Sequence, residues 1–226
     1  MAVNIADELQ TLIDSDQPNE HGCRYYLQFA RHILIPWPII NFQRVETERI
    51  ANLGRSDYII SGTVIHQAEQ CVRTYIWELK APQCFIFEED TNSRLKPSSE
   101  LIDAENKLLN FFYENKHNGL FHQQYALSQP GAENVCLGGI IIGCERTKVR
   151  SDSDETKALY TTAKIARNFM YGPAGIKIKT WDEILRQIRI SETRDREFMQ
   201  LQAEIPVTEL PPNTISASVD VNHTER

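Results

Sequence analysis

The sequence predicts an α/β protein with a mixed β-sheet flanked by helices. One observation is the stretch Asp57–Lys80, DYIISGTVIHQAEQCVRTYIWELK, which is rich in β-branched and aromatic residues and broken only by a polar connection. Another is Val135–Cys144, the most apolar run of the chain, which reads as a buried central strand. Helical periodicities fall on either side of both. The order is therefore helices, strand hairpin, helix, strand, helix, strand, helix.

Taken in order, Val3–Ile13 carries Ile5, Leu9, Leu12 and Ile13 at an amphipathic helical spacing. Asp14–Gly22 is polar, contains Pro18 and reads as a loop. Tyr26, Leu27, Ala30, Ile33 and Leu34 predict a second helix over Cys23–Leu34, stopped by Pro36 and Pro38. Ile39–Ile50 is ambiguous, with room for a short strand leading to the charged group Glu46, Glu48 and Arg49. Cys84–Phe87 is a further strand or a packed loop, and Asp90–Lys96 a polar excursion. Pro97-Ser98-Ser99-Glu100 starts a helix running to about Tyr113, with a hydroxyl cap and an acid in the first turn. Its apolar face is Leu101, Leu108 and Phe112, with Ile102, Leu109 and Phe111 adjoining. A long helix over Asp154–Met170, a break at Tyr171–Gly175 and a short strand at Ile176–Ile178 follow. Thr180 caps a last helix through Trp181, Ile184, Leu185 and Ile188. From Ile205 onward, Pro211-Pro212 and small polar residues without periodicity predict a loosely attached tail. The division is a helical lead-in over 1–50, a central domain over 51–192 and a tail over 193–226.

Composition bounds the function classes. The 226 residues, 41% hydrophobic and 24% charged, suit one substantial core in an ordinary globular protein. No apolar run reaches the roughly 20 residues that span a bilayer, and the N-terminus lacks a basic, apolar leader, so a cytoplasmic protein without a membrane partner is expected. Cys23, Cys71, Cys84, Cys136 and Cys144 are odd in number and form no CxxC pair, which predicts reduced thiols and no zinc site. The net charge of −7 disfavours a non-specific nucleic-acid coat. Between Ile141 and Thr180, however, eight Lys/Arg stand against four Asp/Glu. Arg146, Lys148 and Arg150 in that segment are candidates for phosphate contact.

The chemistry concentrates in the hairpin. Strand alternation puts Glu78 and Lys80 on one face, with Trp77 and Leu79 on the other. A turn centred near Ala68 lays Asp57 across from Leu79, beside Glu78, with the two carboxylates about 4–6 Å apart, as shared ligands of one cation. Paired carboxylates suit a hard divalent ion, Mg²⁺ or Mn²⁺, and a lysine beside them can orient an attacking water. Metal-dependent phosphodiester cleavage is the expected reaction. Glu46 and Glu48 are outside candidates for a further acid.

Asp57 with Glu78-Leu79-Lys80 fits the D-x(n)-E-x-K signature of the PD-(D/E)XK nuclease superfamily. More narrowly, Gly54-Arg55-Ser56-Asp57-Tyr58-Ile59-Ile60 resembles the first strand of the Shedu anti-phage defence nuclease domain. Trp77-Glu78-Leu79-Lys80-Ala81-Pro82 is similar to that family's ELK-x-P strand end. Ile140-Ile141-Ile142-Gly143-Cys144 resembles its later buried strand. Gly175-Ile176-Lys177-Ile178-Lys179-Thr180-Trp181-Asp182-Glu183-Ile184-Leu185 is similar to its closing strand and helix start. The resemblance covers roughly Leu53 to Ile190. It implies a restriction-endonuclease-like fold and a DNA-cleaving immune effector that uses a Mg²⁺-type metal and is often a homo-oligomer. It assigns Asp57, Glu78 and the Leu79 backbone carbonyl to the metal, and Lys80 to the water and the developing phosphorane charge. Two departures stand out: Ser56 replaces the usual proline, and the helix slots that usually hold glutamine and tyrosine hold Lys107 and Phe111, or Asn106 one position earlier. The alternatives are a non-cleaving nucleic-acid-binding or sensing module, or a regulatory subunit acting through protein contacts.

Overall fold

A computed structural model of the chain describes residues 4–49, 55–125, 127 and 134–204. Asn4 caps helix α1 (Ile5–Asp14) by accepting from the Ala6 amide, and the amphipathic spacing buries Ala6, Leu9 and Ile13. The second helix differs from expectation. Helix α2 (Glu20–Tyr26) starts earlier, because Asn19 accepts from the Gly22 amide, and it ends sooner. Leu27–Phe29 and Arg31–Ile33 are 3₁₀ turns, so Cys23–Leu34 is not one continuous helix.

Strands β1 (Ile39–Arg49), β2 (Arg55–His66) and β3 (Glu69–Leu79) form an antiparallel meander, and β1 is longer than the short strand expected. β6 (Val135–Ile141) and β8 (Lys177–Lys179) extend the sheet in parallel, giving the order β1-β2-β3-β6-β8. A second sheet, ordered β5-β4-β7, is made by β4 (Phe87–Glu89), β5 (Leu95–Pro97) and β7 (Val149–Arg150). Its β4–β5 turn is the polar excursion, held by Asp90 accepting from the Asn92 and Arg94 amides.

Helix α3 (Ser99–Asn115) has Ser98 as its cap, with Oγ accepting from the Leu101 amide. It buries Leu101, Leu108 and Phe111, while Ile102 faces outward. A short helix α4 (Gly119–Gln124), capped by Asn118, was not visible in the periodicity. The expected helix over Asp154–Met170 is two: α5 (Asp154–Ala158), and α6 (Tyr160–Tyr171) after an interruption at Leu159. Helix α7 (Trp181–Glu204) follows Thr180. The described residues up to Ile190 form one compact unit, and the rest of α7, from Ser191, falls to a second. The expected tail from Ile205 lies outside the described residues.

Two apolar layers sandwich the five-stranded sheet. One packs Leu9, Ile13, Leu27 and Leu34 against Tyr75, Trp77, Trp181 and Ile184. The other packs Leu101, Leu108, Phe111 and Phe121 of α3 and α4 against Ile59, Ile76 and Ile140. Within β6, Gly138 is an extra residue opposite β3, because Ile76 pairs with Leu137 and Trp77 with Gly139. A β-carbon at Gly138 would lie 2.2 Å from Trp77 Nε1, so the missing side chain is what seats the indole. Among the described residues no helix is long and apolar enough to cross a membrane.

Candidate active site at the end of the central strands

The hairpin register differs by one residue from the sequence expectation. His66 pairs with Glu69 around a two-residue turn, and the ladder runs back to Tyr58 opposite Trp77. Asp57 therefore continues the register opposite Glu78, not Leu79, which places the two carboxyl groups on one face. Nothing in the turn announces this register. Gln67 and Ala68 occupy positive φ, 51° and 66°, without the glycine or asparagine that such a turn favours. A second irregularity presents Asp57. On β1, Thr47 pairs with Tyr58 and Glu48 with Ser56, so Asp57 is the bulged residue between them. Asp57 Oδ2 then accepts from the Leu79 amide at 3.0 Å.

Glu78 is buried and in side-chain hydrogen-bonding contact with Asp57. Burial first, and then the adjacent Asp57 charge and hydrogen bond, push its carboxyl up to about 9 against the opposing pull of Lys80 and Lys107. Lys80 Nζ lies 3.8 Å from Glu78 Oε1, and Lys107 Nζ reaches the same oxygen at 3.9 Å from α3. Between the two lysines sits Asp103, one helical turn before Lys107, with Oδ2 at 2.7 Å from Lys80 Nζ and 3.3 Å from Lys107 Nζ. Burial works to lower the Lys80 ammonium, but the hydrogen bond to Asp103 and the nearby acids outweigh it and raise it on balance. Lys80 is therefore a held cation rather than a proton acceptor at neutral pH.

Backbone contacts fix this strand end. Lys80 donates its amide to Ile141 O at 2.8 Å, continuing the parallel pairing. Trp181, fully buried at the start of α7, donates Nε1 to Lys80 O at 2.7 Å and its amide to Gly143 O at 2.9 Å. Thr180 caps Glu183, and Asp182 accepts from the Glu145 amide. The closing segment thus holds the carbonyl of the lysine itself.

Of the residues singled out from sequence, the fold brings together Asp57, Glu78, Lys80 and Lys107. Asn106 is exposed on the neighbouring helical position, and Phe111 is core. Glu46 stands opposite Ile59 in the β1–β2 register and Glu48 opposite Ser56; their side chains lie outside the described residues. Arg146, Lys148 and Arg150 are all engaged internally: Arg146 with Asp16 and the Ile13 carbonyl, Lys148 with Glu145, and Arg150 with Glu88 and Glu100. The Arg146 and Arg150 side chains stay half exposed while so paired.

Two further acids at the site are not singled out by the sequence pattern. Asp103 had no signal beyond an acid one turn before Lys107. Glu20, half-buried in the first turn of α2, sits in a segment that reads as loop. Burial and the Asp57 charge raise its carboxyl, while Lys80, Lys107 and Arg24 pull it down, so it belongs to the same electrostatic cluster. A capping asparagine followed by an acid was the available clue. Among the described residues no three His, Cys, Asp or Glu side chains are grouped closely enough to hold a metal by themselves. No known family's model matches the chain, and a search of characterised proteins likewise returns no match.

Proposed function

We propose that this protein is a divalent-metal-dependent nuclease of the PD-(D/E)XK type that hydrolyses phosphodiester bonds in DNA, in the manner of Shedu anti-phage defence effectors. The observation that carries the reading is the buried Glu78 carboxyl held against Asp57, with Lys80 and Lys107 both approaching its Oε1. Two carboxyl groups in mutual contact share a proton where a cation would satisfy both, and an all-oxygen donor pair fits Mg²⁺ or Mn²⁺. A Mg²⁺ ion commonly takes one or two carboxylates and completes its shell with water and substrate phosphate, so two acids are a sufficient protein share. Asp57, Glu78 and the Leu79 carbonyl would hold the ion, with Glu20 a further acid of the same electrostatic cluster. When bound, it would neutralise phosphate charge and acidify a water.

The chain's own residues do the rest. The Leu79 amide orients Asp57, and Asp103 keeps Lys80 protonated and fixed beside the carboxyl pair. A fixed ammonium there stabilises negative charge as it develops on the phosphorane. Lys107, exposed on α3, is placed to meet a phosphate in the slot where glutamine is usual. Assembly into a homo-oligomer in the cytoplasm belongs to the same reading. Ile165, Phe169 and Met170 on α6 are exposed apolar surface of the kind that association buries.

The deciding experiment compares Glu78→Ala and Lys80→Ala with the parent on duplex DNA, single-stranded DNA and RNA, with Mg²⁺, Mn²⁺ or EDTA. Each substitution is expected to slow cleavage by roughly two orders of magnitude or more. Parental rates in both variants, or DNA binding without any metal-dependent cutting, would remove the nuclease reading.

A further inference from the structure

At the opposite end of β3 from Glu78, the sheet carries a second polar site. Arg73 precedes Glu78 by five residues, about 17 Å along a strand. It lines an open groove of about 770 Å³, together with Trp37, His66, Glu69, Tyr75 and Lys177. That volume falls in the range of small-molecule sites.

The partners of Arg73 are unusual for a half-buried cation. Nη2 meets His66 Nδ1 at 3.1 Å, Nη1 donates to Cys136 Sγ at 3.7 Å, and a further contact is to Cys71. None of the three is a carboxylate. Nε is buried without an acceptor, and among the described residues no carboxylate pairs with the guanidinium. Lys177, exposed on the same groove, makes no ion pair among the described residues either. A guanidinium that no carboxylate bonds keeps its charge for a ligand, and its fork geometry matches phosphate. Trp37 supplies an aromatic wall, held edge-on by His66 at 4.6 Å between centroids. Indole and guanidinium on one groove suit a ligand that joins a flat ring to an anion.

We infer that this groove binds a mononucleotide-sized ligand, its phosphate against Arg73 and Lys177 and its base against Trp37. The site is separate from the carboxylate cluster and does not depend on the nuclease reading. It is tested by calorimetric titration of the full chain in EDTA with 5′-AMP and with inorganic phosphate, using wild type, Glu78→Gln, Arg73→Met, Arg73→Lys, Lys177→Met and Trp37→Ala. Wild type and Glu78→Gln should bind AMP alike, and Arg73→Met should weaken binding roughly 10- to 100-fold, the loss of one or two charge-assisted hydrogen bonds. Arg73→Lys should retain part of the affinity, and phosphate should bind more weakly than AMP. Lys177 is exposed, so Lys177→Met reports on the anion contact even if the Arg73 variants fail to fold; it too should weaken binding. No saturable AMP binding by wild type overturns the inference, as does unchanged affinity in Lys177→Met and any folded Arg73→Met. Phosphate binding as tight as AMP, or unaltered AMP binding in Trp37→Ala, overturns the role of the base.

Discussion

Glu78 carries a proton that the unfolded chain would release near pH 4.5, because burial and Asp57 hold its carboxyl up to about 9. Its folded value lies above its unfolded one, so its contribution to stability is complete below about pH 4.5 and is lost as pH rises towards 9. Metal-free protein should accordingly melt at lower temperature at pH 8.5 than at pH 6. Glu78→Gln should flatten that slope, and Mg²⁺ or Mn²⁺ should restore stability at the higher pH. Thermal unfolding in EDTA and in metal across this range checks all three, and an identical slope in Glu78→Gln removes Glu78 as its source. Asp103 acts at the same scale. With two lysines on one carboxylate, Asp103→Asn should lower the cleavage rate while leaving the fold intact, since Asp103 is half exposed and contributes little to stability.

At the scale of elements, the β2–β3 turn and the start of α7 set the site's geometry in opposite ways. The turn places Gln67 and Ala68 at positive φ, a conformation that costs a non-glycine residue energy. Replacing the pair by Asn-Gly should stabilise the protein by about 1 kcal/mol in a denaturant titration while keeping the register that faces Asp57 with Glu78. Trp181 does the converse, adding a constraint through its bond to the Lys80 carbonyl. Trp181→Phe keeps most of the apolar burial but leaves that carbonyl without its donor. A loss of about 1–3 kcal/mol is expected, with a fall in cleavage rate from the loosened lysine. A rate unchanged in a destabilised variant would show that Trp181 serves the core alone.

At the scale of the whole molecule, the sheet separates two packed layers, and the candidate site gathers groups from both sides at one sheet end. Helix α2 brings Glu20 from one layer and α3 brings Asp103 and Lys107 from the other. The outer helix α6 braces α3 through Arg167, which bonds Glu105 with two nitrogens, stacks over Tyr171 and donates to its hydroxyl. Removing one partner leaves the other charge poorly solvated, so Arg167→Ala should cost more than an exposed pair would, about 1–3 kcal/mol. Arg167→Met with Glu105→Leu should recover much of that loss in the same unfolding measurement.

Local pattern determined a good part of this protein. Period-two alternation placed Glu78 and Lys80 on one face of a core strand. An uninterrupted apolar run marked β6 as central, and the caps at Ser98 and Thr180 set the starts of α3 and α7. These follow from side-chain spacing and hydrogen-bonding capacity within a few residues, which any reader of the chain can count. The rest lay in contacts between residues distant in sequence. A turn without glycine concealed the one-residue register that sets Asp57 opposite Glu78. Glu20 falls in a segment that reads as loop, the lysine pairing through Asp103 needs α3 to lie over the strand end, and Arg146 and Arg150 meet acids distant in sequence, Asp16, Glu88 and Glu100. Such proximity is decided by how helices pack on the two sheet faces. Periodicity records only which face a residue takes, not what meets it there.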